Sequence, residues 1–209
     1  MKLIALILCI AAQAAFSGDG DSARIIYTKS FPGSSPDYVS IAVERNGAVA
    51  YKEAVDDDPE KFQMEQTSTE VMFDLAARLD HFKHPLESGL KVANMGVKTF
   101  RWEDDGAASE QKFNYSLDEN AKALHDWFEA ITDTERLFAE LKRAARHDKL
   151  GVHEALINIE NCWVQKRLTG ADQFLPLLDQ IAQNEIYLHM ARQRAAMLGE
   201  AIRRSKAKP

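Results

Sequence analysis

Between residues 24 and 116 apolar and polar side chains alternate in short runs, and beyond residue 116 the apolar positions recur every three or four residues. A period of two marks half-buried strands and a period of 3.6 marks helices packed by one face, so a β-rich segment precedes a helical one. Ile25 to Tyr27 open a short strand. Tyr38 to Arg45 and Ala48 to Ala54 form a hairpin, because Asn46-Gly47 suits the positive φ angles of a two-residue type I′ turn. Such a turn sets Val43 opposite Ala50 and Ile41 opposite Lys52 on one face, with Ala42 opposite Tyr51 on the other. Thr67 and Glu70 make a capping box for a helix reaching about Phe82, with Met72, Leu75, Ala76, Leu79 and Phe82 on one stripe and Pro85 beyond its end. A second β pair, Val97 to Glu103 and Gln111 to Ser116, flanks a loop containing Asp104-Asp105-Gly106. Phe100, Trp102, Phe113 and Tyr115 recur there at period two and predict an aromatic sheet face.

The helical segment opens with a second capping box, Ser116 and Glu119, ahead of Leu124, Trp127, Phe128 and Ile131. Thr132 and Glu135 repeat the pattern and predict a kink or a new helix carrying Leu137, Phe138, Leu141 and Ala145. After Gly151, a third stripe comprises Val152, Leu156, Ile159 and Trp163. Thr169-Gly170-Ala171 reads as a loop, and Pro176 suits the first turn of the helix that follows. The last helix, about Glu185 to Arg204, carries two adjacent stripes: Ile186, Met190, Met197 and Ala201 beside Tyr187, Ala191, Leu198 and Ile202. The fold class is therefore α+β, an antiparallel sheet with one covering helix followed by an all-helical C-terminal extension.

The first residues change this picture, because Met1-Lys2 is followed by an apolar run from Leu3 to Ala12 and then by small residues. That is the form of a secretory signal peptide, with cleavage expected after Ser17, or else after Ala14. The run is shorter than the roughly 20 apolar residues needed to cross a bilayer as a helix, so no transmembrane anchor is expected after cleavage. Removal of Cys9 leaves Cys162 alone and excludes an internal disulfide, so stability has to come from apolar burial.

Charge separates the two segments: residues 18 to 133 hold 23 acidic against 12 basic side chains, and residues 134 to 209 hold 9 against 13. Net acidity in an exported chain argues against nucleic acid as a partner, since phosphate binding needs a basic surface. The domains expected are a signal peptide over residues 1–17, an α+β domain over 18–133 and a helical extension over 134–209 packed on it. The junction at Thr132 to Glu135 contains no Gly, Pro or polar linker, so the two are expected to unfold as one unit.

The segment Ser30 to Tyr38 concentrates loop chemistry before the hairpin. Ser30-Phe31, Gly33, Ser35-Pro36 and Tyr38, followed by Gly47 and Tyr51, resemble an exported bacterial domain family of unknown function. In that family a Cys-Phe-Gly-x-Cys-Pro-x-Tyr segment leads into a Gly-containing β-hairpin. The resemblance extends over about residues 25 to 131, with Ser30 and Ser35 standing at the cysteine positions and a spacing one residue longer. It implies a clamp that a disulfide closes in relatives, and it brings no activity or catalytic residues. Pro32 and Pro36 restrict the loop here, and Ser30, Ser34 and Ser35 read as local hydrogen-bonding groups. No Gly-x-Ser-x-Gly elbow or neighbouring histidine marks a nucleophile.

The other candidate groups are weaker still. His81 and His84, with Asp80, could meet a metal if the helix continued through them, but they read as a solvated helix end. His147-Asp148 and His153-Glu154 take the same reading. Asp56-Asp57-Asp58 and Glu103-Asp104-Asp105-Gly106 offer oxygen ligands for calcium without an EF-hand spacing, and read as solvated turns. Cys162 reads as a buried thiol, and Arg203-Arg204-Ser205-Lys206-Ala207-Lys208 as a basic helix end. No catalytic, cofactor-binding or metal-ligating set is assigned. The expectation is a periplasmic or extracellular protein, a noncatalytic binding or interaction module of the cell envelope, with an envelope protein or a small ligand as partner. The alternative is a hydrolase whose site assembles only in the fold.

Overall fold

A computed structural model describes residues 22–206, and the expected signal peptide, Cys9 and the last residues of the basic tail lie outside them. Among the described residues six strands form one antiparallel sheet: β1 (Arg24–Ser30), β2 (Tyr38–Glu44), β3 (Ala48–Lys52), β4 (Glu60–Gln63), β5 (Val97–Asp104) and β6 (Ala107–Phe113). Their order is β4-β3-β2-β1-β5-β6. Ile25, Tyr27, Ile41, Val43, Val49, Tyr51, Phe100, Trp102 and Phe113 point to one face and are buried. The other face is half-exposed, and Arg24, Arg101, Glu103 and Glu110 lace it with ion pairs.

The buried face is covered by α1 (Gln66–Arg78) and by the first half of α2 (Glu119–His147), so a second helix joins the single one expected. The remaining helices are α3 (Val152–Val164), α4 (Leu175–Gln183) and α5 (His189–Lys206), giving an α+β fold with a helical C-terminal part. They pack with Leu137, Leu141, Ala144 and Ala145 of α2 into a second apolar cluster. One helix thus serves two cores. Ala121, Leu124, Phe128 and Ile131 belong to the sheet core, and the next buried apolar side chain along α2, Leu137, belongs to the helical core.

Several expectations are corrected. The first hairpin closes with three residues rather than two: Gly47 N–H donates to Glu44 O at 2.9 Å, and Gly47 alone has positive φ, the form of a type I turn followed by a left-handed residue. The register therefore moves by one, Val43 facing Val49 and Ile41 facing Tyr51, which turns Tyr51 into the core. The two-residue turn lies instead at Asp105-Gly106, both with positive φ, so β6 begins at Ala107. A Cβ on Gly47 would lie 2.9 Å from Met64 O, so this turn accepts no other residue without moving β4.

Helix starts differ as well. Neither expected capping box forms: α1 starts after Glu65, without a side-chain cap, and the α2 cap is Asp118, whose carboxylate accepts from Asn120 N and Ala121 N. The expected break at Thr132 is absent. Thr132 and Thr134 return their hydroxyls to the carbonyls of Phe128 and Ala130 inside a continuous helix. Of the two stripes on the last helix, the one through Tyr187 and Leu198 is buried, whereas Met190 remains 58% exposed beside Met197 and Ile186.

Candidate functional site

Strand alternation brings charge into the buried face. Lys29 continues the inward row Ile25, Tyr27 on β1, and Lys98 continues the row Trp102, Phe100 on β5; the two lysines are direct cross-strand partners. Like charges set opposite one another repel, and α2 supplies the answer in Glu129. Its carboxylate lies 3.0 Å from Lys29 Nζ and accepts from Tyr27 Oη at 3.3 Å. His125, one turn earlier on α2, meets the Tyr27 ring edge-on at 5.9 Å and has Nε2 3.9 Å from the same carboxylate.

Lys98 is different, being only 4% exposed and having no carboxylate within ion-pair distance among the described residues. Its ammonium donates to Asn114 O at 2.8 Å and reaches Met95 O at 3.5 Å, which leaves one of three protons without an acceptor among the described residues. Burial lowers its pKa, as does the Lys29 cation, with Glu129 and Glu87 opposing. Burial also lowers the pKa of His125; the Lys98 and Lys29 cations add to that, and Glu129 acts against it. Burial raises that of Tyr27, with Glu129 adding to it, so its phenol stays protonated.

Lys98 and His125 border a cavity of about 160 Å³ whose wall is mainly apolar, formed by Met95, Phe113, Tyr115 and Ala121. Ser116, Lys122 and Asp126 complete its rim. The segment between Phe82 and β5 contributes Met95 to the cavity, and Asn114 ties that segment to the end of β6: its side chain accepts from Met95 N and donates to Ala93 O. Glu87 accepts from Asn114 N at 2.6 Å, a contact that holds its carboxyl below the usual range. Convergent polar groups on an apolar wall are the usual composition of a small-ligand site.

A second cleft, of about 400 Å³, lies where the sheet edge meets the later half of α2, lined by Tyr51, Glu53, Asp57, Asp58, Glu60, Glu135 and Lys142. Glu135 is 5% exposed, accepts from Gln173 Nε2 at 2.7 Å, and has its pKa pushed up to about 7, chiefly by burial. Two of the three acids of the Asp56-Asp57-Asp58 run therefore border a cleft. No group of three or more His, Cys, Asp or Glu among the described residues is close enough to hold a metal.

The histidines singled out in the sequence do not meet. Asp80, His81 and Phe82 all have positive φ, so α1 ends at Arg78 and the helical spacing of His81 and His84 is lost. The His81 ring lies 4.3 Å from the Trp102 ring in a cleft of about 620 Å³ with Arg45 and Lys83, and His84 pairs with Asp80 at 3.2 Å. Burial of Phe82 in the sheet core is what turns the chain there. His153 belongs to α3, whereas His147 ends α2. Cys162 is half-buried and its pKa is raised by burial, so it is held as the thiol beside the Asp133–Arg167 pair. In the opening loop, Ser34 Oγ donates locally, within reach of Phe31 O and Pro36 O. Arg203 binds Asp179.

His125, Lys98 and Glu135 escaped the reading of the sequence, yet the two lysines carry a signal: each stands in phase with a buried aromatic row. Comparison with protein-family models, with curated proteins and with solved structures finds no match.

Proposed function

We propose that the chain is an exported, noncatalytic binding module of the cell envelope whose ligand is a small molecule held between the end of the β5–β6 pair and α2. The observation that supports this is the cavity beside Lys98, where a buried ammonium lacks a carboxylate partner at an apolar wall. Leaving a buried charge uncompensated costs stability, and such costs concentrate at functional sites. Native mass spectrometry of the mature protein from its own envelope should detect a small molecule that is lost on Ala121→Leu, since Ala121 is fully buried in the cavity wall. A mature protein free of any adduct, with the wild type and the variant indistinguishable, would reject the reading.

Export itself gives a prediction. Peptide mapping of protein from the envelope fraction is expected to find an N-terminus at Gly18 or Ala15, and an intact Met1 in the cytoplasm would overturn it. The hydrolase alternative draws on Glu135, because a carboxyl titrating near 7 beside Glu53 and Glu60 has the properties of a general acid. It requires turnover of an aryl glycoside that Glu135→Gln abolishes.

A further inference from the structure

We infer that the ligand of the Lys98 cavity is a monocarboxylate with an apolar body of about six carbons, its carboxylate meeting the Lys98 ammonium. The inference rests on the binding reading above and names the ligand's chemistry. Size comes first: a cavity of about 160 Å³ matches the ~150 Å³ that holds a benzene ring among apolar side chains. The wall selects an apolar body, because Phe113 and Ala121 are buried and present no polar side-chain atoms.

The charge follows from what is already occupied. Glu129 is held by Lys29 and Tyr27, and Glu87 by Asn114 N and Gly89 N, and neither lies within ion-pair distance of Lys98. The Asn114 side chain is spent on Met95 N and Ala93 O. Among the groups lining the cavity, Lys98 keeps one ammonium proton without an acceptor among the described residues, and Ser116 keeps its hydroxyl proton, since its oxygen accepts from Asp118 N. A carboxylate accepts at both oxygens and so suits an ammonium donor with a hydroxyl donor on the same cavity wall. The rim holds Asp126, which is exposed, and Lys122, which Glu119 already pairs at 2.8 Å, so a second anionic group would meet the like charge of Asp126 beside a cation that is already compensated.

His125 makes binding depend on pH. It faces Tyr27 and Lys29 of β1, Lys98 of β5, and Glu129 on its own helix. With the cavity free, burial keeps His125 neutral at pH 7. A carboxylate beside Lys98 offsets that cation and raises the proton affinity of the imidazole. Binding then takes up a proton, and affinity rises as pH falls toward the range where His125 titrates, until the ligand itself is protonated.

The test titrates the full mature protein with benzoate, benzamide and phthalate, following NMR signals of Lys98, His125 and Phe113. Benzoate is expected to shift all three, with benzamide and phthalate each about tenfold weaker or more, as fits the loss of one charge-assisted bond or the addition of one repulsion. Lys98→Met preserves volume and should make benzoate and benzamide equal. If that variant does not fold, the wild-type comparison still decides. Equal affinities for benzoate and benzamide at these signals would overturn the carboxylate while leaving a small-molecule site in place. Silence of all three signals toward every probe overturns the inference, and a small molecule retained in native mass spectrometry would then keep the binding reading separate.

Discussion

Replacing Glu135 by glutamine stabilises the protein at pH 8 by about 2–3 kcal/mol and leaves it nearly unchanged at pH 4. Glu135 is 5% exposed; its burial, with Glu60 and Glu53 adding to it, outweighs the Gln173 hydrogen bond and the Lys142 cation that favour the charged form. An ordinary glutamate titrates near 4.5 and this one near 7, so the folded state holds the proton more tightly than the unfolded state. Its stabilising effect is complete below pH 4.5 and is lost as pH rises through 7. The substitution keeps the oxygen that accepts from Gln173 and removes only the charge. Urea unfolding of both proteins at the two pH values checks it. A constant difference between them across that range would mean that Glu135 ionises as a surface residue does.

The second large effect belongs to Gly170. It has φ +55°, and a Cβ there would lie 2.5 Å and 2.7 Å from Phe62 ring atoms of β4 and 3.0 Å from Gln63 O. Its N–H lies 3.4 Å from a Glu65 carboxylate oxygen, and the preceding Thr169 is bound to Thr134 through a buried hydroxyl. This is one of the places where the helical part touches the sheet edge, Lys142 of α2 with Glu60 of β4 being another. Gly170→Val adds both backbone strain and a collision, for an expected loss of about 3 kcal/mol or more. Hydrogen exchange should show faster opening of β4 and of residues 168–174 before other segments. A loss under about 0.5 kcal/mol would mean the contact is slack.

The elements with long-range periodicity were legible, and the local chemistry at their ends was not. Period two located β1, β2, β3 and β5, yet Asn46-Gly47 suits a two-residue turn as well as the tail of a three-residue one. Packing decides between them: only the shifted register buries Tyr51 with Ile41. β4 has the weakest pattern, Glu-Lys-Phe-Gln, and exists because β3 offers it an edge. Thr132 looked like a cap because its sequence context is that of one, but buried side chains on both sides keep α2 helical through it. Met190 could not be distinguished from Ala191 by hydrophobicity alone, since two adjacent stripes compete for a single interface. The candidate site was hidden for a related reason. Lys98 and His125 lie 27 residues apart on a strand and a helix, and only the crossing of α2 over β5 brings them to one cavity.

The continuity of α2 governs which changes of length the chain can absorb. The helix rises about 1.5 Å and turns about 100° per residue, so its 29 residues form a rod of about 43 Å whose two ends are fixed in phase. One residue inserted between Ile131 and Leu137 would swing Leu137 and Leu141 by about 100° relative to Leu124 and Phe128, so only one set could face its core. Seven inserted residues would bring the two sets back to within about 20° of alignment, at the expense of drawing the two cores about 10 Å apart. Homologous chains of this architecture should therefore differ in length within the loops, and along this helix only by near-whole numbers of turns.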